Sequence, residues 1–380
     1  MAFVSTPLPH LSTTSTSRAA SQCASVAPVR AGSFAPRRSG INAASAAQRC
    51  GSAAGQAVPM CMSARLKTAI VTGASSSIGL HAAKELAGRG DYHVVMAVRN
   101  PGKAEAAAKA VGMPADSYTV VPLDLARLQS VREFVTAVGV AGVPPVAALV
   151  CNAATWHPRD KKPRFTEDGF DETVQVNHLG HFLLANLLLP QLKLNRGRCV
   201  FLATQTHNPD TLPGKVPPQA DLGELEGLVG GFKTLPGTID GKKFEPTKAY
   251  KDSKVCNILT MTEMNRRYGT DGVTFSAVFP GCIAQSELFR EKRGWFRALF
   301  PLFQRYITKQ LVPVEEAGRR VALVASDGRF GDSGRYWQWR GSYLQGMDKT
   351  TPVPIDPTER EAGKAEKLWE LSAKLVNMGV

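Results

Sequence analysis

The chain has 380 residues, 43% hydrophobic and 21% charged, enough for one large or two ordinary domains with a proper core. Wholesale disorder, collagen and coiled coil are excluded by that composition. No stretch reaches the roughly eighteen uninterrupted apolar residues of a membrane-spanning helix; the richest, Phe182 to Leu192, contains Asn186 and Pro190.

The formal charge of +14 suggests nucleic acid or an anionic surface until its distribution is read. Residues 1–65 carry six arginines and no acidic residue, which leaves 40 basic against 32 acidic residues in the remainder, a net of +8 without basic runs. No nucleic-acid partner is expected. The seven cysteines (Cys23, Cys50, Cys61, Cys151, Cys199, Cys256 and Cys282) include no C-x-x-C pair and no metal-ligand spacing. The last four sit in or beside apolar segments, as small buried hydrophobes of a reducing compartment do.

Residues 1–65 hold fifteen alanines and fifteen serines plus threonines, with arginines at 18, 30, 37, 38, 49 and 65. This is transit-peptide composition, and the excess of hydroxyl residues over arginine favours a plastid, with cleavage near Met60 to Ala64. From Lys67 the pattern changes. Apolar runs at Thr68–Thr72, His93–Val98, Tyr118–Leu123, Ala147–Cys151, Cys199–Ala203 and Val273–Phe279 predict strands, and the stretches 78–89, 101–111, 127–139, 171–195 and 250–268 predict helices between them. Alternation of this kind predicts an α/β fold with a doubly wound parallel sheet, a single Rossmann-type domain over 66–380. The connection Gln205–Ala249, rich in Gly and Pro, is far longer than ordinary loops, and long ordered loops tend to be functional.

The loop Thr72-Gly73-Ala74-Ser75-Ser76-Ser77-Ile78-Gly79 stands between the first strand and first helix, where glycine permits a tight turn and a helix N-terminus meets a pyrophosphate. At the end of the second strand, where an NAD enzyme carries an acidic residue, the chain has Arg99, with Lys103 one turn on. A cation there suits the extra phosphate of NADPH, with Lys103 either a second contact or a solvated lysine. Asp124 after the third strand and Asn152-Ala153 after the fourth are placed to meet adenine and ribose, or to cap turns. Tyr250 and Lys254, four apart, share one helix face; an ammonium beside a phenol lowers its pKa from about 10, which makes Tyr250 a proton donor or relay. Thr204 ends the fifth strand. Asn177, polar among apolar neighbours, needs a buried partner, which a water relay to Lys254 would supply.

Thr72-Gly73, Gly79, Asn152-Ala153-Ala154, Asn177, Thr204 and Tyr250-x3-Lys254 together resemble the short-chain dehydrogenase/reductase superfamily over about residues 67–340. Narrower runs, Asn177–Leu184, Lys248–Asn257, Pro280-Gly281-Cys282-Ile283-Ala284 and Leu288–Glu291, resemble the light-dependent NADPH:protochlorophyllide oxidoreductase family within it, as does the long insertion before the tyrosine. Ile307-Thr308-Lys309 and Tyr336-Trp337-x-Trp339 extend the likeness. The resemblance implies light-driven reduction of the C17–C18 double bond of protochlorophyllide, NADPH giving hydride to C17 and Tyr250 supplying or relaying a proton to C18. It also implies that Lys254 anchors the nicotinamide ribose, that Pro280, Gly281 and Ile283 line the cofactor, and that Cys282 sits near the pigment.

Three departures fall on that site. Ser77 replaces a glycine of the cofactor loop; its Cβ is strained if the position needs a positive φ, while its hydroxyl is able to bond a phosphate. Trp156 stands where the family has tyrosine, keeping an aromatic surface for a flat macrocycle without the phenol. Gln285-Ser286-Glu287 replaces a threonine-rich stretch. Residues 285–312, with Trp295, Phe296, Phe300, Phe303 and Tyr306 interleaved with Arg297, Arg305 and Lys309, are expected to form a lid, with peripheral thylakoid contact and self-association as secondary uses. A dark carbonyl reductase of the same superfamily and a non-catalytic pigment-binding relative are the competing readings.

Overall fold

The computed structural model describes residues 66–378 apart from residues 210, 233–236, 284–300, 303–304, 307–310, 341–350 and 356–362. The expected transit segment and most of the expected lid, with the runs Gln285–Glu287, Leu288–Glu291 and Ile307–Lys309, lie outside the described residues.

The chain alternates strand and helix from its first described element: β1 Lys67–Thr72, α1 Ser77–Gly88, β2 Tyr92–Val98, α2 Pro101–Ala110, β3 Tyr118–Pro122, α3 Leu128–Val140 and β4 Val146–Cys151. Then come α4 Glu172–Val174, a π turn Gln175–Leu179, α5 Gly180–Leu194 and β5 Arg198–Leu202. A long connection carrying the short helices α6 Leu212–Lys215 and α7 Glu226–Val229 leads to α8 Pro246–Tyr268, followed by β6 Thr274–Phe279, α9 Val314–Ser326, β7 Arg335–Arg340, β8 Thr351–Ile355 and α10 Ala365–Leu375. β4, with sequence VAALVC, is buried at every residue, since a parallel strand covered on both faces has no solvent side.

The sheet order is β3-β2-β1-β4-β5-β6-β7-β8, parallel except for β8, which runs antiparallel to β7. The direction of winding reverses between β1 and β4, so the connections leaving those strands diverge and open a crevice at the C-terminal edge. The apolar runs predict six strands, and β7 and β8 are the difference. β7 is bounded by Arg335 and Arg340, and β8 holds Pro352 and Pro354; proline, lacking an N–H, is confined to sheet edges, the place β8 occupies.

Helices cover both faces. Phe134, Phe182, Ile258 and Trp369, from α3, α5, α8 and α10, share one apolar cluster, and Leu86, Ala104 and Val321, from α1, α2 and α9, share the other with Trp337 of β7. Phe182 and Trp369 meet edge to face with centroids 4.8 Å apart, and full burial of a side chain of this size contributes about 1.5–3 kcal/mol. α8 starts a turn earlier than the apolar spacing predicts, because Glu245 accepts the N–H of Lys248 at 2.8 Å and Pro246 opens the helix.

The π turn is joined to α10, since His178 and Ser372 are paired at 2.9 Å. Burial, and after it the neighbouring His181, pushes the His178 imidazole down to about 3. The unfolded chain therefore takes up a proton near pH 6.5 that the folded chain refuses, and stability is lost as pH falls from 6.5 toward 3. His178→Gln keeps a polar partner for Ser372 and removes the titration. Chemical denaturation at pH 6.5 and 5.0 should show the variant losing about 1.5 kcal/mol less than the parent over that interval; equal losses would contradict a neutral buried imidazole.

Candidate active site

Thr72, the last residue of β1, is buried, and its Oγ accepts the N–H groups of Asn152 and Ala153, each at 2.9 Å. His181 Nδ1 meets the Asn177 carbonyl at 3.1 Å and Nε2 meets Thr72 Oγ1 at 2.9 Å. If Nδ1 carries the proton, Nε2 is the acceptor and the threonine hydroxyl donates to it, which completes the valence of every group involved. Burial holds His181 neutral, its pKa pushed down to about 3, as that arrangement requires. The ends of β1 and β4 are thereby fixed to each other and to α5.

The glycine loop closes over this base. Gly73 has φ +66°, and a Cβ at Gly79 would stand 2.5 Å from both Gly73 O and Asn152 Nδ2. The Asn152 amide donates to Thr72 O at 2.7 Å, a tether between the ends of β1 and β4 that is neither cap nor turn, and the residue also lines the adjoining cavity. Ser77, with φ +49°, occupies the left-handed conformation that makes a serine there strained. No side chain among the described residues caps the first turn of α1, which leaves its N–H groups to an anion. A loop with no room for a side chain at Gly79 and a helix whose N-cap residue makes no side-chain cap fit a dinucleotide pyrophosphate.

One cavity of about 750 Å³ joins this loop to the catalytic end of the site. Gly73, Ser75, Ser76, Ser77, Ile78 and Gly79 line one side, with Arg99 and Lys103 beyond them at the end of β2 and the start of α2. Asp124 lines it too, its carboxylate also closing a turn by accepting the N–H of Ala126 at 3.0 Å. Ala153, Trp156, Thr204, Tyr250, Lys254, Pro280, Gly281, Cys282 and Ile283 complete the wall foreseen from sequence.

Two expectations need correction. The Tyr250 phenol is held above its usual value, by burial first and by the neighbouring Cys282 thiol second, so Lys254 does not lower it. The ammonium lies 5.8 Å from the tyrosine ring centroid and donates to Leu202 O at 3.1 Å; burial pushes Lys254 itself down to about 8. Tyr250 is thus a neutral phenol, the form a proton donor needs. Asn177 is outside the cavity lining and its partner is not Lys254: Oδ1 accepts the Thr155 N–H at 2.8 Å, while Nδ2 donates to Thr155 O at 3.1 Å and Ser253 Oγ at 3.0 Å. It holds the strand-four loop against α8, and so carries Trp156 to Tyr250, the rings 5.5 Å apart and inclined at 32°. Burial pushes the Cys282 thiol up to about 12.

Sequence reasoning missed part of the wall. Leu212, Pro213, Val216 and Pro217 come from the long connection, and Thr247 and Lys251 from α8. A signal for the last two was present: Thr247, Tyr250, Lys251 and Lys254 follow the i, i+3, i+4, i+7 spacing of one helix face.

A doubly wound sheet, a glycine loop at its switch point and a Tyr-x3-Lys pair in the same cavity define a nicotinamide-dependent short-chain dehydrogenase, and residues 67–209 match the family model for short chain dehydrogenase. Protochlorophyllide reductase, chloroplastic, of Chlamydomonas reinhardtii is 49% identical over 82% of this chain and 78% of its own length. Protochlorophyllide reductase B of Oryza sativa subsp. japonica is 50% identical over 83% and 78%, and protochlorophyllide reductase A of Arabidopsis thaliana 49% identical over 81% and 76%. The chain belongs to the protochlorophyllide reductase family. Among solved structures, the crystal structure of KRED1-Pglu enzyme shares the fold at a TM-score of 0.50 and 17% identity, covering 71% of this chain and 99% of that one.

Gly79→Ala tests the cradle. The added methyl group collides with the Asn152 amide and displaces its bond to Thr72 O, so nicotinamide-cofactor affinity should fall at least roughly tenfold, since losing one buried bond costs about 1–3 kcal/mol. Fluorescence titration of the cofactor reads this, and unchanged affinity would show that the loop does not hold the pyrophosphate.

Proposed function

We propose that this chain reduces the C17–C18 double bond of protochlorophyllide to give chlorophyllide, with NADPH and light. The observation that carries the reading is the single cavity in which the dinucleotide loop, Tyr250, Cys282 and the flat face of Trp156 meet, in a chain about half identical to proteins named protochlorophyllide reductase. The light requirement rests on the likeness of the run Lys248–Asn257 to the light-dependent family.

NADPH supplies the hydride when bound. Arg99 and Lys103 would hold its ribose phosphate and the first turn of α1 its pyrophosphate. Lys254, one turn beyond Tyr250 on α8, is oriented by Leu202 O and has further N–H groups for ribose hydroxyls. Tyr250, a neutral phenol facing the cavity, donates the proton to C18; Trp156 and the apolar connection exclude water around it. Cys282, held as a thiol, packs beside Tyr250. Asn177 and His181 act at one remove, by positioning Thr155, Asn152 and α8.

The composition of residues 1–65 and the chloroplastic designation of the relatives support import into a plastid, with residues 1–65 as the transit peptide and 66–380 as the working domain. Peripheral thylakoid contact and self-association remain proposals from residues 293–311; no helix among the described residues is long and apolar enough to cross a membrane.

The deciding experiment mixes the purified full chain with NADPH and protochlorophyllide in darkness and records absorbance before and after a flash. A red-shifted complex that becomes chlorophyllide only after illumination is expected. Reduction in darkness would favour an ordinary reductase, and a complex that never converts would favour a pigment-binding protein. Tyr250→Phe should slow the dark proton step, by roughly a hundredfold or more, while leaving the light-driven step less affected; equal slowing counts against the phenol as donor. Arg99→Gln should reduce the preference for NADPH over NADH roughly tenfold or more, since a charge-assisted contact contributes about 1.5–3 kcal/mol, as read from dark binding of the two cofactors.

A further inference from the structure

Lys251 is the cation of this site for which the reaction has no use. Its residue is 4% exposed, and yet it lines the cavity beside Tyr250. The ammonium donates to two main-chain carbonyls of the long connection, Val216 O at 2.6 Å and Pro218 O at 2.8 Å. It has three N–H donors, and no carboxylate lies within salt-bridge distance of it among the described residues. Nearby acids are committed elsewhere: Asp252 and Asp240 to Lys248 at 2.5 and 2.9 Å, and Glu245 to the start of α8. Burial pulls the Lys251 ammonium below the usual lysine value, while Glu245 and Asp252 oppose that pull from beyond salt-bridge distance. Its hydrogen-bond partners among the described residues are both neutral carbonyls, and an anion at hydrogen-bond distance would hold it more strongly.

Thr247 lies one turn earlier on the same face of α8 and lines the same cavity, so a hydroxyl-bearing and an ammonium-bearing residue border it side by side. The rest of this corner is apolar, formed by Leu212, Pro213, Val216 and Pro217. Such a corner suits a carboxylate borne on a greasy body: the apolar wall covers the body and the cation takes the acid.

We propose that Lys251, with Thr247 beside it, is the anchor for the free carboxylate of the substrate, the propionate of the tetrapyrrole. This rests on the protochlorophyllide reading of the cavity and adds to it the group that sets which end of the macrocycle lies against α8. The long connection shares in the selection, because Val216 and Pro218 aim the ammonium. A substrate with the same ring system and an esterified propionate would bring no charge to Lys251 and would crowd the corner.

The test compares protochlorophyllide with its propionate methyl ester as ligands of the full chain and NADPH in darkness, read by the absorbance shift. The parent protein should bind the acid at least tenfold more tightly than the ester. Lys251→Gln should bind the two within about twofold of each other, losing affinity for the acid alone, and Lys251→Arg should restore most of the preference. A purely structural tether for residues 216–218 would weaken both ligands together and leave the ratio unchanged. A parent protein that binds acid and ester equally, or a Lys251→Gln protein that keeps the full preference, overturns the assignment while leaving the pigment reading intact. A parent protein that binds neither ligand, with NADPH binding retained, overturns the pigment reading and this inference with it.

Discussion

The site depends first on one buried hydroxyl. Thr72 Oγ1 receives two N–H groups from the end of β4 and faces a histidine from α5, so it fixes three elements that are far apart in sequence. From His181 the chain of bonds continues through the Asn177 carbonyl, and from the Asn177 side chain to Thr155 and Ser253. The cofactor loop, the aromatic residue facing the cavity and the catalytic helix are thereby parts of one polar network. Each neutral bond contributes only about 1 kcal/mol net, but an orphaned buried partner costs more than the bond contributes. That asymmetry makes the network hold its geometry in a single arrangement.

Burial then determines the chemistry. The same exclusion of water that keeps His181 neutral and able to accept a bond holds Tyr250 protonated and Cys282 as a thiol, and brings Lys254 down to about 8. His181, Tyr250 and Cys282 are kept uncharged, and Lys254 is a more readily deprotonated ammonium, chiefly because of burial. A cavity walled this way holds protons on its own groups until a reacting carbon needs one.

Most of the sheet was legible because its first six strands are apolar runs between turn residues, and a run such as VAALVC has no other comfortable place. The last two strands escape for different reasons: β7 is a short run of aromatics broken by Gln338 and closed by an arginine at each end, and β8 carries prolines that argue against a strand anywhere but an edge. That Gly73, Ser75–Gly79 and Arg99 border the cavity is readable from their place at strand ends, and the strain expected of Ser77 at a positive φ is present. The polarity of Asn177 among apolar neighbours signals a buried partner but not its identity, since Thr155 is brought to it only by a loop without periodicity. Lys251 carries no such signal, because a lysine on a helix ordinarily faces water; its burial follows from where the long connection folds, which no local pattern records.

The π turn at Gln175–Leu179 has a consequence for how this protein can change through evolution. It is in effect one surplus residue inside a helical ladder, absorbed as a wide turn so that the helix on either side keeps its phase. Deletion of a single residue there would restore ordinary winding and draw the wide turn closed. Asn177 would leave Thr155 and Ser253, and His178 would leave Ser372. Substitutions can accumulate in this segment one at a time, but its length is frozen, while the exposed loops on the opposite edge of the sheet remain free to grow or shrink.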